Sequence, residues 1–70
     1  MTTVDARGLS CPEPVMLLRN AMQAHWDHYT LLVDNHAAKE NTTRYAEHQG
    51  YTVQTTKEGE TYTLNISRRA

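Results

Sequence analysis

The chain has 70 residues, a formal net charge of −1 at pH 7, and 39% hydrophobic residues with no phenylalanine. That is room for one small core of Leu, Val, Met and Tyr, so a single domain over 1–70 is expected, burying roughly 60% of its unfolded surface. The slight acidic balance lacks the basic footprint of a nucleic-acid binder, and one cysteine excludes an internal disulfide or a cysteine-built zinc cluster.

Met1-Thr2-Thr3-Val4-Asp5 shows neither the basic nor the apolar region of a signal peptide. No apolar run approaches the ~20 residues needed to cross a bilayer. The expected compartment is the reducing cytoplasm, where a lone thiol stays available.

Residues 2–6 are β-compatible, with Val4 and Ala6 on one face and Asp5 on the other. Arg7-Gly8-Leu9-Ser10 then reads as a loop in which Gly8 permits a positive φ. From Pro12 or Pro14 to about Trp26, Val15, Leu18, Met22 and Trp26 or His25 recur at helical steps. Leu17 and Ala21 widen that stripe, which predicts a helix packed on a sheet.

Two prolines at the mouth of this helix say how it begins, because proline fits only a helix's first turn. With Cys11 as cap, Pro12 and Pro14 occupy the first and third helical positions. The amides of Glu13 and Val15 are then left to face an anion. Residues before proline avoid the α region, which allows a start at Pro14 instead. Both readings place the sulfur at or just before the positive end of a helix, which favours thiolate over thiol.

Asp27 and His28 break the pattern, and Tyr29 to Val33 form a continuous β-rich run that suits a central strand. Asp34 and Asn35 are capping residues for a second helix over 37–49, whose weak face is Ala38, Thr42, Tyr45 and Ala46 or Gln49. Gly50 stops it. Tyr51, Val53 and Thr55 alternate with polar residues, Lys57-Glu58-Gly59-Glu60 reads as a hairpin turn, and Tyr62, Leu64 and Ile66 alternate again. The order βαβαββ predicts an α/β (α+β) two-layer sandwich. Its four-stranded mixed sheet carries both helices on one face and mostly threonines and other polar residues on the opposite one.

The pattern Asp5-x-x-Gly8-Leu9-x-Cys11-Pro12-x-Pro14-Val15-x-x-x-Arg19 resembles the signature of the TusA/SirA/YedF-like sulfur carriers. These are small sandwiches with the same element order, so the resemblance covers nearly the whole chain. It implies that Cys11 accepts a sulfane sulfur as a persulfide and hands it on. Pro12 and Pro14 shape the helix start, and Asp5, Gly8, Glu13 and Arg19 support the motif. The implied partners are a cysteine desulfurase or other persulfide donor, and an acceptor protein, met by transient docking. No membrane and no nucleic acid are expected, and no cofactor. Val33-Asp34-Asn35-x-Ala37-x-x-x-Asn41, with Arg44, Gly50 and Tyr51, looks nearer to YedF-like members than to the tRNA-thiolation carrier. Some YedF-like forms are linked to selenium metabolism and carry a second domain.

Blander readings stand beside these. A lone cysteine is often a small buried hydrophobe, but a loop-to-helix junction among Asp5, Arg7, Ser10 and Glu13 argues for exposure. Arg7 and Arg19 suit anion binding or docking, and equally ordinary solvation. A carboxylate at Asp5 opposes thiolate formation, so loop capping or partner recognition fits it better. Glu13 complements the helix dipole. No histidine pair among His25, His28, His36 and His48 has the i, i+4 spacing of a helical metal site, and none is placed as a base for Cys11. No metal is expected. The competing function is a regulatory or RNA/protein-binding module with a structural or redox-sensitive cysteine.

Overall fold

In the computed structural model, which describes residues 2–69 (Thr2 by its backbone alone), periodicity becomes architecture closely along the chain. The elements are β1 (Thr2–Asp5), α1 (Glu13–Ala21), a 3₁₀ turn (Met22–Ala24), β2 (His28–Val33), α2 (His36–His48), β3 (Tyr51–Glu58) and β4 (Thr61–Arg68). β1 pairs parallel with β2, from Thr2 opposite Tyr29 to Asp5 opposite Leu32. β4 pairs antiparallel with β2 on one side and β3 on the other, which gives the order β1-β2-β4-β3. The expected mixed sheet is present.

Alternation settles which face is buried. Tyr29, Leu31 and Val33 of β2 and Leu64 and Ile66 of β4 are fully buried, and the residues between them are not. The helices lie on that face, with Leu18 from α1, Met22 from the 3₁₀ turn that follows it, and Ala38, Thr42 and Ala46 from α2 sealing the layer. Thr42 satisfies its buried hydroxyl by donating to the Ala38 carbonyl at 2.7 Å. The β3–β4 connection is Gly59-Glu60, with Gly59 at φ 59 as a tight hairpin requires. Gly50, at φ 91, ends α2.

The first helix is shorter than its apolar stripe predicts. It ends at Ala21, tightens into the 3₁₀ turn, and is closed by His25 in the left-handed region at φ 57. Two interactions turn the chain there. The His25 carbonyl accepts from Arg68 Nη2 at 3.0 Å, and the Trp26 carbonyl accepts from Tyr51 Oη at 3.1 Å. Trp26 is therefore 44% exposed beside the Tyr29 ring, not part of the helix face.

Candidate functional site

Cys11 closes the β1–α1 loop, and its local geometry differs in detail from a cysteine-capped helix. The Cys11–Pro12 peptide is cis, and Pro12 is the N-cap, which puts Glu13 at the first helical position and Pro14 at the second. Pro14 is buried, whereas Pro12, Glu13 and Cys11 are exposed. The Glu13 amide donates to the Ser10 carbonyl at 2.9 Å and closes a turn around the cysteine. That amide is thus not available to an anion, which corrects the expectation for Glu13. Cys11 itself is a free, exposed thiol at the positive end of α1.

Asp5 and Gly8 hold the loop. The Asp5 carboxylate accepts from the Arg7 amide at 3.1 Å and from its guanidinium at 3.0 and 2.8 Å, the loop-capping role that suits it. The hydrogen bonds from Arg7 lower the Asp5 pKa to about 2. Gly8 stands at φ 79 and donates its amide to Asp34 Oδ2 at 2.8 Å, which ties the loop to the end of β2. A side chain at Gly8 would meet open space, so glycine is required there by the backbone and not by crowding.

The second half of the chain then reaches the thiol. Asn35 caps α2 by accepting the Ala38 amide at 2.8 Å. Asn41, partly buried between the core residues Ala38 and Thr42, extends its side-chain amide so that Nδ2 lies 3.6 Å from Cys11 Sγ. Asp34 and Asn41 are the residues that site reasoning passed over. Both stand in the resembling stretch Val33 to Asn41, but local sequence does not show which α2 side chains face the start of α1. Arg19 is exposed in the last turn of α1, away from the end that carries Cys11.

Along α1 and the loop before it, Leu9, Glu13, Met16, Leu17 and Asn20 line a shallow concavity of about 220 Å³, with Met16 55% exposed. A second hollow of about 150 Å³ lies at the other end of the helices, among Met22, His25, Tyr45, Tyr51 and Arg68. Among the described residues, no three of His, Cys, Asp or Glu gather as metal ligands. No helix among them is long and apolar enough to cross a membrane. The arrangement therefore offers an exposed sulfur, one neutral amide donor within reach of it, and a shallow, largely apolar concavity along α1.

Comparison with known proteins bears on the family and the fold. The family model described as sulfurtransferase TusA matches residues 2–68. The crystal structure of a SirA-like protein from Desulfitobacterium hafniense superposes with a TM-score of 0.88 at 30% identity, covering 100% of both chains.

Proposed function

Since the chain belongs to the sulfurtransferase TusA family, we propose that it carries sulfane sulfur on Cys11 as a persulfide, taken from a donor protein and delivered to an acceptor. The observation that supports this most is the free, exposed Sγ of the chain's one cysteine at the loop-to-helix junction. In loading, the Cys11 thiolate attacks the terminal sulfur of a donor persulfide. The new Sγ–S bond forms as the donor's S–S bond breaks, and the donor cysteine leaves as thiolate. The transferred sulfur stays at the sulfane level, so no outside oxidant or reductant is consumed. In unloading, an acceptor thiolate attacks the outer sulfur and Cys11 thiolate leaves.

The proposed donor is a cysteine desulfurase, whose reaction places sulfur on its own cysteine. Site roles divide along the loop. Asp5, Arg7, Gly8 and Asp34 hold its shape, Pro12 and Pro14 set the helix start, and Glu13 and Arg19 are available to a docking partner. Mass spectrometry of the Cys11 peptide after incubation with a desulfurase and cysteine tests the reading. The wild type gains one sulfur and Cys11→Ser gains none. A Cys11 that neither gains sulfur nor reacts with alkylating agents favours the regulatory or binding module instead.

A further inference from the structure

We propose that Asn41 is a positioning residue for sulfur transfer, donating its side-chain N–H to Cys11 Sγ whenever that sulfur is negative. This rests on the carrier reading above and adds to it a residue from α2. Asn41 Nδ2 lies 3.6 Å from Sγ, within reach of a hydrogen bond to sulfur. The donor is fixed from below. Ala38 and Thr42, its helical neighbours, are 3% and 0% exposed, and Thr42 and the Asn35 cap lock the α2 backbone. Cys11 is likewise fixed, through the Ser10–Glu13 turn and the Gly8–Asp34 bond.

The chemistry of a carboxamide suits this place. It donates to an anion without adding a charge, whereas a carboxylate there repels thiolate. In both half-reactions Sγ carries the negative charge, first as nucleophile and then as leaving group. A donor on Sγ raises the thiolate fraction but lowers thiolate nucleophilicity, so its effects on loading partly cancel. In unloading there is no such cancellation, because a better-stabilised thiolate leaves faster. The asymmetry is the signature: loss of the donor slows release from Cys11 more than attack by Cys11.

The test uses the mixed disulfide of Cys11 with 2-mercaptoethanol, cleaved by excess glutathione, so that Cys11 leaving is read without any sulfur-relay partner. Release is scored by mass as the appearance of free Cys11 thiol and kept apart from attack on Sγ, which expels mercaptoethanol and leaves glutathione on Cys11. Asn41→Leu and the near-isosteric Asn41→Asp are expected to slow release about threefold or more, the size of a modest hydrogen bond to a charged sulfur. Asn41→Gln, which keeps the donor, recovers much of it. Alkylation of free Cys11 by iodoacetamide changes less than release in Asn41→Leu. Equal release rates in wild type and Asn41→Leu, or release and alkylation slowed by one factor in all three variants, overturn the proposal. Persulfide loading from a desulfurase is followed on the same proteins. Failure of the wild type to load, with the release asymmetry intact, counts against the carrier reading and not against Asn41.

Discussion

Replacing Leu18 by alanine separates burial from helix propensity as the force that holds α1 in place. Leu18 is fully buried between the helix and the sheet, while Met16, two residues earlier on the same helix, is 55% exposed. Both become alanine, the best helix former, so propensity predicts a small gain at each position. Burial predicts otherwise. A buried leucine cut to alanine costs about 3 kcal/mol, from lost transfer energy and the cavity left behind. A chain of this length has a total stability of about 4–10 kcal/mol at the usual ~0.05–0.15 kcal/mol per residue. Leu18→Ala therefore removes a third or more of it. With a urea slope of about 1 kcal/mol/M, the unfolding midpoint falls by about 3 M, read by far-UV circular dichroism. Met16→Ala shifts it by no more than about 0.5 M, as surface changes do. Equal shifts for the two variants refute the burial argument.

Other expectations follow from the loop that carries the thiol. The Asp5 pKa, lowered to about 2 by the hydrogen bonds from Arg7, makes the pair a source of stability present above the ordinary carboxyl value of 3.8 and lost as pH falls toward 2. Arg7→Gln returns the Asp5 titration toward that ordinary value in a carboxyl-carbon NMR titration and flattens the stability profile in this window. No movement of the Asp5 midpoint contradicts the assignment of the shift to Arg7. Gly8→Ala must hold an L side chain at φ 79 with nothing to clash against, so the cost is conformational, about 1 kcal/mol by urea unfolding. Asp34→Ala leaves the Gly8 amide to water and loosens the loop, seen as faster exchange of that amide with little change in global stability.

The strands and helices were largely legible because each carries its own period. Tyr62, Leu64 and Ile66 alternate with polar residues in the sequence, whereas Tyr29 to Val33 showed only a continuous β-rich run and revealed its alternation in burial alone. The strand order was not, because periodicity speaks of faces and not of neighbours. One trace was the continuous run Tyr29 to Val33, read as a central strand and found as the inner β2. Another lies in the last two strands: Leu64 and Ile66 of the inner β4 are fully buried, while Val53 of the edge strand β3 is partly exposed. The helix end was misread for a related reason. His25 and Trp26 continue the apolar spacing, but Arg68 and Tyr51, from the far end of the chain, bind their carbonyls and turn the backbone out of the helix. At the thiol, the motif from Asp5 to Pro14 was readable as a loop and helix start. Contributions from Asp34 and Asn41 were not, since they depend on how β2 and α2 pack beside that loop.

The central claim is that Cys11 is a point of passage for sulfur and not merely an exposed thiol. The direct measurement isolates the chain after a single exposure to a cysteine desulfurase and radiolabelled cysteine, free of the donor, and then adds an acceptor thiol. The carrier reading predicts at most one labelled sulfur per chain, located on the Cys11 peptide, absent in Cys11→Ser, and discharged to the added thiol. Label that is absent from the wild type, equal in Cys11→Ser, or not released to any thiol contradicts it.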